Sequence, residues 1–179
     1  MIYLIGGSSH VGKTYISQLL MERNNVPYIS IDHIKMMFIR SGLTKLTPDD
    51  DYEMRYFLWP YLAEYIKTAI ENDQSFIMEG CYIPESFRDA FSKEYLSKIK
   101  VVYIVMSEEY IRKNFDSVVS KANVIENRLC DEPDMERLIE CSKEFSRLGR
   151  ENNIPVYEIS EGYNVEKIVS DLEKIMKFS

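Results

Sequence analysis

The stretch Gly7-Ser8-Ser9-His10-Val11-Gly12-Lys13-Thr14 decides how the rest of the chain is read. Its pattern is G-x-x-x-x-G-K-T, a phosphate-binding loop. The flanks agree with that reading. Ile2-Tyr3-Leu4-Ile5 before it is a short apolar, β-prone run, and Tyr15 to Glu22 after it carries Ile16, Leu19 and Leu20 at helical spacing. Glycines let the backbone approach oxygen atoms closely and turn its N–H groups inward. The start of the following helix adds about half a positive charge at the same spot. Lys13 is placed to reach the β- and γ-phosphates of a nucleotide, and Thr14 to hold Mg²⁺ through its hydroxyl. The competing reading is a glycine turn with a chance Lys-Thr, and the strand and helix on either side argue against it.

Outward from the loop, strands and helices alternate. The expected strands are Ile2–Ile5, Tyr28–Ile31, Ser75–Met78, Val101–Met106 and Pro155–Ile159. Most are continuous apolar runs, which suit parallel strands covered on both faces. The expected helices are Lys13–Arg23, His33–Ser41, Asp50–Asn72, Ser86–Ser97, Glu108–Val119, Asp134–Asn152 and Val165–Lys177. The last shows the cleanest stripe, and Asn164 is its expected N-cap. The pattern implies a single domain over residues 1–179, α/β in class, with three layers around a five-stranded parallel sheet.

Ligands on such a sheet bind at the carboxyl ends of its strands. Asp32 follows the second expected strand and Glu79 the third, so two carboxylates face the presumed phosphate site. Phosphoryl transfer uses one carboxylate near the Mg²⁺ shell and another to orient the acceptor hydroxyl and take its proton. Glu79 or Asp32 fits the first role, in the outer shell of a Mg²⁺ held by Thr14, and Asp32 is the candidate for the second. Asp32 also suits the N-cap of a helix starting at His33, and the two roles are compatible. Lys35, one helical turn from Asp32, can face the same ligand, as can Arg55 in the next helix.

Two segments interrupt the alternation. The first, about 32–72, reads as a helical acceptor insert, with Met54, Leu58, Tyr61, Leu62, Tyr65 and Ala69 as its apolar stripe and Pro60 as a source of a kink. The second, about 108–133, reads as a lid carrying Arg112, Lys113, Lys121 and Arg128. Lid arginines neutralise charge that spreads over a transferring phosphoryl group, and Arg112 and Arg128 are the candidates for that clamp. Taken singly, each basic residue also suits a surface salt bridge.

Composition narrows the partners. The formal net charge is −7, which argues against nucleic acid as the main ligand. No apolar run reaches membrane-spanning length, and a strand starting at residue 2 leaves no room for a leader peptide. Cys81, Cys130 and Cys141 are odd in number and form no C-x-x-C pair, so reduced thiols in a cytoplasmic monomer or homodimer are expected.

With these residues in view, the chain resembles the P-loop small-molecule and nucleotide kinases: adenylate, shikimate and gluconate kinases and their relatives. Gly7–Thr14 matches their first motif. Ser30-Ile31-Asp32-His33-Ile34-Lys35 is similar to the segment opening the acceptor region of adenylate kinases, where a basic residue at the place of Lys35 contacts the acceptor. Phe76-Ile77-Met78-Glu79-Gly80 resembles the third strand, which ends in an acid near Mg²⁺. Val101–Met106 with Arg112 looks like the fourth strand and the arginine that opens the lid. The resemblance implies ATP and Mg²⁺ as cofactors and a small-molecule or nucleotide acceptor. Glu79 stands where adenylate kinases usually carry Asp, and the acceptor stays open. Other readings are a kinase of a macromolecular target and a nucleotide-binding switch or sensor. An Asn-Lys-x-Asp guanine motif is absent, as is an apolar run ending in Asp-Glu.

Overall fold

The short apolar runs become the strands of one sheet because each is walled by turn residues and covered on both faces. In the computed structural model, which describes residues 1–120 and 134–178, the chain opens with β1 (Ile2–Gly7), α1 (Lys13–Asn24), β2 (Tyr28–Ser30), α2 (Ile31–Arg40), α3 (Asp51–Glu71) and β3 (Phe76–Glu79). A 3₁₀ turn (Phe87–Ala90) and the one-turn helix α4 (Lys93–Leu96) lead to β4 (Ile99–Met106). The rest is α5 (Glu108–Ser120), α6 (Met135–Glu151), β5 (Val156–Ile159) and α7 (Val165–Met176). Lys121, Arg128, Cys130 and the second half of the expected lid lie outside the described residues.

The sheet is parallel throughout, in the order β2-β3-β1-β4-β5. Period-2 alternation sends Ile2 and Leu4 to one face and Tyr3 and Ile5 to the other, and every one of them is buried. Ile2 and Leu4 join a core with α3, Phe38 of α2 and Phe145 of α6. Tyr3 and Ile5 join a second core with α1, α5 and α7. These are the three layers read from the sequence. Asn164 caps α7 by accepting a hydrogen bond from the Lys167 N–H, as expected, and Asp134 caps α6 in the same way through the Arg137 N–H.

Local expectations change where packing overrides pattern. Strand β2 stops at Ser30, so Ile31 begins α2 and Asp32 lies in that helix's first turn instead of capping it. The helix expected over 86–97 breaks at Phe91 and Ser92, both extended in backbone. Phe87 and Phe91, on either side of the 3₁₀ turn's end, each meet Trp59 edge-on, at 6.4 and 6.1 Å between ring centroids. In α3 the buried face is Met54, Arg55, Leu58, Trp59, Leu62, Ala63, Ile66 and Ala69. Tyr61 and Tyr65, expected on the stripe, are exposed. The true face turns toward Trp59, because its ring fills the space beneath the 3₁₀ turn. Helix α3 runs continuously past Pro60; non-helical geometry occurs in α5, at Asn114.

Candidate active site at the phosphate loop

The loop between β1 and α1 is fastened from three sides. Gly7, at φ +118, lies so close to β4 that a Cβ there would sit 2.0 Å from the Ile104 carbonyl oxygen. Only glycine fits that approach. The Ser8 N–H donates to the same carbonyl at 3.0 Å. From α6, the Ser142 hydroxyl donates to Ser8 Oγ at 2.9 Å, and both residues are buried. From the segment after β5, the Tyr163 hydroxyl donates to the Val11 carbonyl at 3.3 Å. Tyr163 also occupies the space beside Gly12, where a Cβ would lie 2.2 Å from its hydroxyl. Ser9 Oγ and His10 Nδ1 pair at 2.8 Å, with His10 in the left-handed backbone region at φ 63.

The start of α1 has the features of an anion site. Gly12 is its N-cap, no side chain caps it, and its first turn contains no acid. Its leading N–H groups therefore lack the partners a helix start usually has. Lys13 is buried at the same spot, with Nζ donating to the Ser8 carbonyl at 2.7 Å and approaching Cys81 Sγ at 3.2 Å. Burial disfavours its ammonium, yet Cys81 and the carboxylates of Glu79 and Asp32 outweigh burial and lift its pKa above the ordinary lysine value. Lys13 is thus a fixed positive charge at neutral pH.

Beside it, the Thr14 hydroxyl donates to Glu79 Oε1 at 3.1 Å. Sheet order explains this contact, since β3 lies next to β1 with Ile5 opposite Glu79. Glu79 is the last residue of β3 and is 1% exposed. Gly80 follows at φ +155 and donates its N–H to the Ile5 carbonyl, which turns the chain away over the sheet end. Two oxygen groups, a hydroxyl and a carboxylate, thus meet at the helix start. This donor set fits Mg²⁺, a hard cation that needs few protein ligands and completes its shell with water and phosphate oxygens. Among the described residues, no group of three or more His, Cys, Asp or Glu could hold a metal alone.

The neighbouring strand exit brings the acceptor candidates together. Ser30 pairs in register with Glu79, so α2 starts beside the Thr14–Glu79 contact. Lys35, one turn into α2, is buried and donates to the Tyr82 hydroxyl at 2.6 Å, to Asp51 Oδ1 at 2.9 Å and to the Pro48 carbonyl at 3.2 Å. The Tyr82 hydroxyl lies 2.7 Å from Asp51 Oδ1 and 3.3 Å from Asp32 Oδ1. Burial and these acids raise the Tyr82 pKa, so its proton stays in place. Arg55 is also buried, with Nε donating to the Cys81 carbonyl at 3.2 Å and Nη1 to Glu144 Oε1 at 3.2 Å. Its guanidinium packs over the Phe145 ring at 4.6 Å.

Arg112 stands on α5, exposed and held by carboxylates. Its Nε donates to Glu108 at 2.9 Å, and its two terminal nitrogens reach Glu136 at 2.6 and 3.0 Å. A clamp role therefore requires Arg112 to leave Glu136. An open depression of about 690 Å³ runs along Glu108, Glu109, Arg112 and Lys113, and another of about 490 Å³ lies along β2 and α2 from Tyr28 to Met37. Neither is lined by the phosphate loop, so the site is defined by its chemistry and not by these hollows.

Sequence reading missed Cys81, Tyr82, Asp51, Ser142, Glu144 and Tyr163. Cys81 and Tyr82 directly follow the third strand exit, and Tyr163 follows the fifth, so extending the strand-end rule by a few residues finds them. Ser142 and Glu144 carry no local signal. They reach the site only because α6 packs across β1 and β4.

No protein-family model and no curated protein matches the sequence. Solved structures do match its fold. A sugar kinase from Janibacter sp. HTCC2649 superposes with a TM-score of 0.62 at 14% identity, over 99% of this chain and 95% of that one. A shikimate kinase from Bacteroides thetaiotaomicron gives 0.58 at 16% identity, over 99% and 98%. A gluconokinase from Sinorhizobium meliloti 1021 gives 0.54 at 15% identity, over 98% and 93%. At such identities the likeness carries architecture and not substrate: the chain has the parallel α/β fold that these kinase structures share, with a P-loop at the end of its first strand.

Proposed function

We propose that the chain is a Mg²⁺-dependent phosphotransferase that moves the γ-phosphoryl group of ATP to a hydroxyl of a small-molecule acceptor. One observation carries the reading. An uncapped helix start, a buried lysine and a hydroxyl–carboxylate pair converge at the end of β1, beside a further carboxylate at the end of β2.

Each residue has a task in that reaction. The loop backbone from Gly7 through Ser8, Ser9, His10, Val11 and Gly12 wraps the phosphates, and Lys13 supplies fixed charge to the β- and γ-oxygens. Thr14 and Glu79 would hold Mg²⁺, which would supply positive charge against the phosphates. Asp32 orients the acceptor hydroxyl and takes its proton. Lys35 and Arg55 wall the acceptor side. Arg112, once released from Glu136, together with Arg128, covers the transferring group and excludes water, which keeps the phosphoryl from hydrolysis.

The architecture shared with sugar, shikimate and gluconate kinases supports this reading. The experiment is ADP release with a panel of hydroxyl acceptors, wild type against Lys13→Ala, with circular dichroism as the check on folding. Acceptor-dependent ADP release that disappears in Lys13→Ala is the expected result. Equal turnover in both proteins removes Lys13 from the mechanism, and slow hydrolysis indifferent to every acceptor points instead to a nucleotide switch.

A further inference from the structure

The cations on the acceptor side are already matched by the protein's own groups. An ammonium has three N–H bonds and no acceptor capacity. Lys35 meets three oxygen atoms, on Tyr82, Asp51 and Pro48, within 3.2 Å, so none of its hydrogen-bonding capacity is left over. Its side chain is 9% exposed, so little of it is open to water. Arg55 is 7% exposed at the side chain, paired with Glu144 and packed on Phe145. Asp32, Asp51 and Glu144 set three carboxylates against these two cations.

From this we infer that the acceptor is an uncharged or amine-bearing hydroxyl compound, and not a carboxylate or a phosphate ester. The inference rests on the phosphotransfer reading above and deepens it. A carboxylate or phosphate entering beside Asp32 must either displace Asp51 from Lys35 or sit among acids where, among the described residues, Lys35 and Arg55 each already have a carboxylate partner. In the first case one ion pair is exchanged for another and a carboxylate is stranded; in the second, like charges meet. A hydroxyl or ammonium group meets the opposite situation. Among the described residues, the side chain of Asp32 is met by the Tyr82 hydroxyl at a long 3.3 Å, while the single Tyr82 proton lies nearer Asp51 at 2.7 Å, so both oxygens of Asp32 can accept from a ligand. Lys35 thus acts as a positioning residue. It fixes Tyr82 and Asp51 around Asp32 and leaves the carboxylate as the group that greets the acceptor.

The test holds the carbon skeleton constant and changes the charge. D-Glucose and D-glucosamine are compared with D-gluconate, glycerol with glycerate, and adenosine with AMP, each with ATP and Mg²⁺ on the full chain. The readout is ADP release, and nucleotide binding is measured separately by thermal shift. In at least one set, the neutral or amine member should exceed its anionic partner by about tenfold or more in kcat/KM, the least that a like-charge contact should give. Asp51→Ala removes both the charge and the oxygen that hold Lys35, so in that variant the KM of the anionic member should fall relative to the neutral one. Preferred transfer to an anionic member by the wild type overturns the inference and leaves the phosphotransfer reading standing. Nucleotide binding with transfer to no member also counts against it, since every class is represented. Absence of nucleotide binding overturns the phosphotransfer reading itself.

Discussion

Gly7 and Glu79 show how much of this site rests on single residues. A methyl group at Gly7 meets the backbone of β4, which cannot move without the sheet, and the φ of +118 is strained for any other residue. Gly7→Ala should therefore cost on the order of 3 kcal/mol or more. Gly162→Ala, with nothing within 4 Å of its Cβ, should change stability by less than about 1 kcal/mol. Urea unfolding of the two variants checks the contrast. Glu79→Gln keeps the shape and can still accept the Thr14 hydrogen bond, but it removes the charge beside the metal candidate. Activity should then need far more Mg²⁺ while nucleotide binding without Mg²⁺ changes little; Mg²⁺ titrations of ADP release measure the first and thermal shift the second. Equal losses in both would assign Glu79 a structural role.

At the scale of elements, caps are set by local chemistry, whereas breaks are set by neighbours. The Asn164 cap was readable because a polar side chain precedes a clear apolar stripe, and its side chain accepts the Lys167 N–H at 3.1 Å. Asn164→Ala should destabilise the protein by about 0.5–2 kcal/mol, read as a lower urea midpoint at unchanged slope. The 86–97 segment was not readable in the same way. Helical spacing puts Phe87 and Phe91 on one face, and both rings do pack on Trp59, yet the backbone is extended at Phe91 and Ser92, which no local signal announces. Trp59→Ala removes the surface on which both rings rest. It should cost about 3–5 kcal/mol and loosen the turn ahead of β4, visible as faster amide exchange over residues 86–97.

Across the whole molecule, buried groups that ionise only with difficulty give the stability a pH dependence of definite sign. Burial pushes the Cys141 thiol up to about 11 and also raises Cys81, Tyr82 and Tyr103. Each of these groups loses its proton at lower pH in the unfolded chain than in the folded one. Unfolding then releases protons, so stability is fully present below the ordinary thiol pKa of about 8.5 and is lost progressively above it. Lys13 acts in the same direction, its contribution being lost as pH rises beyond the ordinary lysine range. Urea midpoints should therefore fall between pH 8 and 10.5. Cys141→Ala should flatten that decline by about 2 kcal/mol at the upper end, the worth of a thiol whose ionisation is delayed by more than one unit.

The residues proposed to bind phosphate oxygens were legible in the sequence because their chemistry is local. A glycine loop, a helix start, a lysine and a threonine lie within eight consecutive residues, Gly7 to Thr14, and need no distant partner to declare their purpose. The alternation of strands and helices was legible for the same reason, being written in periods of two and 3.6. Strand order is a different kind of fact, and only the tertiary structure sets it. Placing β3 between β2 and β1 seats Glu79 against Thr14 and brings Tyr82 to Lys35 and Asp32, where Asp51 joins them. Those contacts join residues 16 to 65 positions apart, where no periodicity reaches. Charge recognition follows suit: a sequence shows that Lys35 and Arg55 are cations, but whether a ligand can use that charge depends on which carboxylates the fold has already set beside them.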